Sequence, residues 1–235
     1  MVNGASAAGP LLRAFDLGEI RQDVASLLDP AERGRANTIA DAATRRDFLA
    51  GRIAQRLAAA ELLGCGPAEL EAAYVCPDCG SGPALAHGRP GYRLRGGVGG
   101  VSLSLSRSSG WAVIAMLPAP GLRLGIDIQH IASVGFPGFD GVALSAAEQR
   151  RLGGLPPGQR DAWRADAWAR KEALAKHSGQ GLRMDPAAIP AFPDGAADGT
   201  WAGVELRSMG PGELGLPDGF AVALACTAAP HTIDS

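Results

Sequence analysis

Lysine is nearly absent from this chain. Of 22 basic residues only Lys171 and Lys176 are lysines, and both lie in one short segment. Generic solubility does not explain such a distribution, so the two lysines need a local reason. Charge of one sign is lacking as well: 22 basic against 24 acidic residues leave a net charge of −2. That balance gives no footprint for nucleic acid or an anionic membrane. No segment approaches the roughly 20 apolar residues of a membrane span. The N-terminal stretch carries Arg13, Asp16 and Glu19 and lacks the apolar core of a signal peptide. A cytoplasmic protein without a membrane partner is expected, and in that compartment a disulfide between any of the four cysteines would be unusual. What remains is ordinary for a globular chain, with 46% hydrophobic and 20% charged residues among 235, enough to bury a sizeable core.

Two segments stand out. In the first, Leu122, Leu124, Ile126 and Ile128 alternate with Arg123, Gly125, Asp127 and Gln129. The period of two predicts a strand with one buried face. Asp127 and Gln129 then share a face at roughly 6–7 Å between Cα atoms, and Gly125 leaves room on that face for something bulky. The same pattern also suits an ordinary strand with a solvated polar face. In the second segment, Asp161 to His177 contains no proline or glycine, with Asp161 as N-cap and Gly179 as the stop. Trp168, Glu172 and Lys176 fall on one helical stripe, and Lys171 lies about 100° round from Glu172. Either this is a solvated helix with a Glu–Lys pair or it is a helix presenting an acid and a cation to a ligand. Taken together, the segments supply carboxylates for a hard cation and cations for phosphate oxygens.

The chain also echoes itself. Gly110-Trp111-Ala112-Val113-Ile114-Ala115-Met116 and Gly219-Phe220-Ala221-Val222-Ala223-Leu224-Ala225 match in pattern 109 residues apart, followed by Pro118 and Pro230 respectively. That period is too long for a solenoid and suits two similar lobes. The first lobe's long helix is expected over Thr38 to Leu63 and the second's over Asp161 to His177, with the connection near Pro118 to Gly121. Residues 183–200 and 208–219, rich in Gly, Pro and Asp, read as loops. Cys76-Pro77-Asp78-Cys79-Gly80 forms a CxxC knuckle with His87 beyond it. Zinc takes four ligands and only three are at hand, so the stretch reads as a turn leading into Gly88, with structural zinc as the alternative.

These segments resemble the large, pseudo-dimeric 4'-phosphopantetheinyl transferases of the surfactin-synthetase-activating (Sfp) type. That family has a G-[IV]-D-x-E/Q strand followed by W-x-x-K-E-[AS]-x-x-K. Here Gly125 through Gln129 is followed about forty residues later by Trp168 through Lys176. Weaker matches are Gly88-Arg89-Pro90, the strand Val101 through Ser108, the helix Arg45 through Arg52, and the tail Gly179-Gln180-Gly181-Leu182. Order and spacing agree from about residue 33 to about residue 227.

The resemblance implies an α+β fold of two pseudo-twofold-related lobes, residues 1–120 and 121–235, each a three-stranded antiparallel sheet with a long helix. It implies an enzyme, a monomer, that moves 4'-phosphopantetheine from coenzyme A to a serine of an apo acyl or peptidyl carrier protein and releases 3',5'-ADP. Mg²⁺, with Mn²⁺ as an alternative, would be held by Asp127, Gln129 and Glu172. Asp127, Glu172 and Lys176 would be catalytic, with Glu172 or a metal-bound water it orients taking the serine proton. Arg45, Arg52, Arg89, Ser106, Arg107, Lys171 and Lys176 would bind coenzyme A, Ser106 and Arg107 at the 3'-phosphate. For Arg52 a solvated helix face is an equal reading. Two positions depart from the family: Arg107 stands in place of a histidine, and Gln129 removes one anionic ligand. The alternative function is a non-catalytic relative that binds coenzyme A or a carrier protein.

Overall fold

Residues 100–117 show how local chemistry builds the scaffold. The first arm alternates in polarity while the second, Trp111 to Leu117, is apolar throughout and buried between layers, and Ser109 and Gly110 between them take φ of 47° and 82°. Two successive positive φ values give the tight turn whose twist matches the flanking strands, so a hairpin forms with Ser108 opposite Trp111. The computed structural model describes residues 9–82, 84–193 and 198–227. In the first part lie β1 (Leu11–Asp16), α1 (Pro30–Asn37), α2 (Ala42–Leu63), β2 (Leu70–Ala72), β3 (Val75–Cys76), β4 (Gly80–Ser81), β5 (Gly91–Leu94), β6 (Gly100–Ser108) and β7 (Trp111–Leu117). The second part holds β8 (Leu124–His130), α3 (Phe139–Ala143), α4 (Ala146–Gly153), α5 (Arg160–Ser178), β9 (Gly199–Trp201), β10 (Val204–Met209) and β11 (Phe220–Thr227).

The fold is α+β with antiparallel sheets. One sheet runs β1-β7-β6-β5-β2 and the other β8-β11-β10-β9, while β3 and β4 form a separate hairpin. The expected three strands per lobe are therefore exceeded, with five and four strands respectively. The extra strands complete one connectivity used twice. Each half runs from a first strand (β1, β8) into a long helix (α2, α5) and then a three-stranded meander (β5-β6-β7, β9-β10-β11) whose last strand returns beside the first. The two echoed sequences are those returning strands, β7 and β11. Pro230, which extended the echo, and residues 194–197 of the expected loop over 183–200 lie outside the described residues.

The layers are helix, sheet, sheet, helix. Ala54, Ala58 and Ala59 of α2 pack on Leu103, Ile114 and Met116 of the five-stranded sheet. The opposite face of that sheet, with Val113 and Ala115, meets Leu124, Ile126, Ile128, Val222 and Leu224 of the second sheet. Ala169 and Ala173 of α5 cover Ala223 and Ala225 on the outer face. None of the helices among the described residues is long and apolar enough to cross a membrane.

Two helix boundaries differ from expectation for capping reasons. The first long helix starts at Ala42 rather than Thr38, because the Asp41 side chain accepts the Thr44 N–H at 2.7 Å and caps it there. Thr38, the expected start, is the C-cap of the preceding helix α1. The second starts at Arg160, and Asp161, expected as its cap, is ion-paired with Arg164 one turn on. Gly179 ends α5 in the left-handed conformation as expected, at φ 76°.

A buried charge cluster joins α1 to α2. Arg56, 1% exposed, donates to Asp29 at 2.6 Å and to Glu32 at 3.1 Å. Glu32 also accepts from the Tyr74 and Tyr92 hydroxyls, and Asp29 from Arg95 and the Ala72 N–H. Removing the cation leaves two buried carboxylates short of a partner, so Arg56→Ala is expected to cost about 3–5 kcal/mol. Urea denaturation measures this, and a loss below about 1 kcal/mol, the range of an exposed pair, would show that the cluster is not an interdependent unit.

Candidate active site

The acid of β8 and the lysine of α5 meet because one side chain is missing. A Cβ at Gly125 would lie 1.9 Å from the Ala173 carbonyl oxygen and 2.7 Å from the His177 nitrogen. The bulky group for which Gly125 leaves room is thus the backbone of α5 itself. The buried alanines Ala169 and Ala173 extend the same close contact along the helix. At this separation Lys176 reaches across the strand. Its Nζ donates to Asp127 Oδ1 at 2.6 Å and to the Ile126 carbonyl at 3.2 Å.

Asp127 is 2% exposed and must therefore be fully paired. Besides Lys176, the Ser106 hydroxyl donates to Oδ1 at 2.6 Å and the Gln129 Nε2 to Oδ2 at 2.7 Å. Asp127 and Gln129 share a strand face, as their spacing predicts. The seam between β6 and β8 is lined by serine. Ser104 Oγ accepts the Ile126 N–H at 3.1 Å and Ser108 Oγ the His130 N–H at 3.0 Å.

Glu172 lies one turn before Lys176 on α5 and makes no hydrogen bond or ion pair among the described residues. Burial, then the charge of Asp127, raise its carboxyl above the ordinary glutamate value, and Lys176 draws it partly back. Two carboxylates held together without a counter-charge of 2+ are the electrostatic signature of a cation site. Asp127 has about four acceptor positions as a carboxylate, of which three are used. With its amide nitrogen turned to Asp127, Gln129 keeps its Oε1 as an acceptor. The donors are all hard oxygens, so Asp127, Gln129 and Glu172 fit a divalent cation such as Mg²⁺ or Mn²⁺.

Beside this cluster a cavity of about 360 Å³ opens between the two halves. Arg52, Arg89, Arg107 and Lys176 line it, with Phe48 and Gln55. The Arg52 guanidinium lies 5.0 Å from the Phe48 ring centre and 4.5 Å from that of Tyr74. It donates to the Ala86 carbonyl at 2.9 Å, to Gln55 and to the Tyr74 hydroxyl. Arg107 donates to the Asp47 carbonyl at 2.9 Å, and Arg89 to the His177 carbonyl at 3.0 Å. None of the three arginines has a carboxylate ion pair among the described residues, and Arg89 Nε is buried without any partner. A glycine is favoured again here by the left-handed backbone of residue 179 at φ 76°, against which the end of the Arg89 side chain lies. Desolvation and a neighbouring guanidinium lower both Arg89 and Arg107, through Arg123 and Arg52 respectively. The charge of Asp47 offsets part of this at Arg107, but no carboxylate closes an ion pair with either arginine among the described residues.

Three expected ligand contacts lie elsewhere. Ser106 faces Asp127, not the cavity, because neighbours on a strand point to opposite faces and Arg107 takes the cavity side. Lys171 is 1% exposed and paired with Glu148 at 2.6 Å, with the Pro186 carbonyl at 2.8 Å. Its 100° offset from Glu172 turns it into the protein. Arg45 donates to the Ile39 carbonyl at 3.5 Å and does not line the cavity. Phe48 and Gln55 were missed by sequence reasoning, although their spacing of four and three residues from Arg52 puts them on its helical face.

Replacing Glu172 by its neutral isostere tests the electrostatics of the cluster. A carboxyl whose folded pKa is raised leaves stability intact below the unfolded value and loses it as pH rises through the folded value. Glu172→Gln is therefore expected to raise Tm of the protein in chelator at pH 8, where each kcal/mol is worth about 2–4 °C. The gain should vanish below pH of about 4, where the carboxyl is neutral in both states. A lower Tm at pH 8 would mean that the glutamate charge is already compensated.

Comparison with known proteins bears on the second half of the chain. No curated protein matches it. Among solved structures the chain is similar to Thermotoga maritima holo-[acyl-carrier-protein] synthase (AcpS), at 21% identity and a TM-score of 0.32, over 44% of this chain and 61% of that one. The match thus spans less than two thirds of that protein's length. Residues 123–206 match the family described as the 4'-phosphopantetheinyl transferase superfamily, a stretch that begins just before β8, ends within β10 and carries Asp127, Gln129, Glu172 and Lys176.

Proposed function

We propose that the protein transfers 4'-phosphopantetheine from coenzyme A to a serine hydroxyl of an apo carrier protein, with 3',5'-ADP as the leaving group. The observation that carries this reading is the cavity whose three guanidiniums have no carboxylate ion pair among the described residues and whose wall includes Lys176, itself bonded to Asp127. A polyphosphate ester of matching charge, with a hard cation at its pyrophosphate, satisfies both groups at once. In this assignment residues up to about 120 supply the arginines for the 3'-phosphoadenosine end, and the rest supply the acids and Lys176.

The serine oxygen attacks the phosphorus that bears pantetheine, the bond from that phosphorus to the bridging oxygen breaks, and the oxygen leaves with 3',5'-ADP. Such exchange is catalysed mainly by positioning and charge neutralisation. Arg52, Arg89 and Arg107 hold the donor, and Lys176 neutralises the leaving phosphate. Glu172, or a water it orients, accepts the serine proton, a role left open to it by its freedom from hydrogen bonds among the described residues. When bound at Asp127, Gln129 and Glu172, Mg²⁺ supplies charge neutralisation to the pyrophosphate. The intact acid and lysine set favours an enzyme over a relative that only binds.

Incubating the protein with Mg²⁺, coenzyme A and an apo carrier protein, then weighing the carrier, is expected to show the added mass of phosphopantetheine. Glu172→Ala should remain folded and lose about 10²-fold or more in rate, the scale of a lost charge-stabilising group, and Asp127→Asn, which keeps an acceptor for Ser106 and Lys176, should lose as much. No mass gain across a panel of carriers would overturn the reading, and activity within a few-fold in either variant would remove that residue's role.

Arg107 allows a finer test. Assigned to the 3'-phosphate, Arg107→Ala should weaken coenzyme A by about one to two decades, the worth of a charged hydrogen bond, while 3'-dephospho-coenzyme A binds almost unchanged. Equal losses for the two donors, read by calorimetry, would place Arg107 outside the phosphate site.

A further inference from the structure

The stretch with three of the four ligands of a zinc site folds in a way that its sequence spacing left open. One ligand atom each from Cys76, Cys79 and His87 converge, all within 4.8 Å of one another. The cysteines are reduced, Cys76 buried and Cys79 exposed. They lie at the end of β3 and just before β4, a hairpin with two residues in each strand. A hairpin of that length has no core and is not stable by itself.

We propose that Cys76, Cys79 and His87 hold a zinc ion. Thiolate and imidazole select a borderline-soft cation over the hard cation that suits Asp127 and Glu172. Binding releases the two thiol protons to solvent and leaves two thiolates and a neutral imidazole around a 2+ ion, a site without net charge. Among the described residues no fourth side chain of ligating type joins the group, which leaves the fourth position to water.

The ion's place in the fold gives it a purpose. Val75, next to Cys76, exchanges both backbone hydrogen bonds with Arg89, at 2.8 and 3.0 Å. Gly88 between His87 and Arg89 is packed so closely that a Cβ there would lie 2.4 Å from the Val75 carbonyl. Joining Cys76 to His87 through a metal therefore clamps this ladder one residue from Val75 on one strand and two residues from Arg89 on the other. Arg89 in turn lines the cavity and reaches the His177 carbonyl on the second half. Asp78, at the hairpin tip, pairs with Arg183 beyond the end of α5. The zinc knuckle is thus a strap from the first half to the second that sets Arg89 in place. The metal site stands independently of the transferase reading; only the value of a fixed Arg89 rests on it.

The test is metal content and local order of the full chain, kept reduced. Purified protein is expected to carry about one zinc per chain, and cobalt substitution should give thiolate-to-metal charge-transfer absorption. Cys79→Ser and His87→Ala should lose the metal while Cys65→Ser retains it. Hydrogen exchange at the Val75 and Arg89 amides should quicken roughly tenfold or more in Cys79→Ser, consistent with a lost clamp, and the amides of α5 should be unchanged. No zinc and no cobalt band in the reduced wild type, a Cys76–Cys79 disulfide in the protein as isolated, or metal retained by both variants would each overturn the proposal. A negative transfer assay with one zinc per chain would reject the enzyme and keep the site.

Discussion

The buried carboxylate of Asp127 is the point at which everything in this protein is tied. It takes one hydrogen bond from the first half through Ser106, one from its own strand through Gln129 and one from α5 through Lys176. A carboxylate removed from water without such partners would cost several kcal/mol or be forced to take a proton. Satisfying it fixes three elements at once: the distance between the sheets, the height of α5 over β8, and the axial position of α5. Gly125 and the alanines of α5 are the steric condition for that arrangement, since any larger residue at 125 would lift the helix.

The two halves use one connectivity, and they have divided the chemistry between them. The first presents guanidiniums on α2, on β6 and just before β5, in a planar, always-charged form suited to phosphate. The second presents oxygens and a single ammonium from β8 and α5. The scarcity of lysine acquires its reason here. Lys171 closes a buried pair with Glu148 that holds α4 against α5, and Lys176 is a compact point charge paired with Asp127 at the seam. Neither is spent on solvation, a task left to arginine throughout the surface.

Much of this was legible in the sequence where a residue's role follows from periodicity along its own element. Alternation placed Asp127 and Gln129 on one face of β8, and the i, i+4 stripe placed Glu172 beside Lys176. The same periodicity also held the answer that was misread for Ser106, whose neighbour Arg107 must face the other way. Lys171 shows the opposite case: nothing near it in sequence announces Glu148, which comes from a different helix. The start of α2 was obscured by a residue, Ile39, that continues the apolar spacing but lies ahead of the cap at Asp41. The cluster of Arg56, Asp29 and Glu32 was invisible because its members are 24 and 27 residues apart and each alone resembles a solvated surface charge. Strand number was underestimated because three- and four-residue strands such as β9, β2 and β5 carry too few positions for a period to declare itself.

The serines of β6 have an effect that reaches beyond the site. β8 is the last strand of its sheet, so one row of its backbone N–H groups has no neighbouring strand to receive them. Such a row is a template on which foreign chains polymerise. Here the hydroxyls of Ser104 and Ser108 occupy two of those N–H groups, and the body of the other sheet stands in the way of any incoming strand. A sheet that could propagate from both borders is thereby closed at one, and among the described residues its other border, β9, is three residues long. The hydroxyl, the smallest side chain able to accept a backbone hydrogen bond, lets two sheets lie face to face while doubling as a guard against self-assembly into fibres.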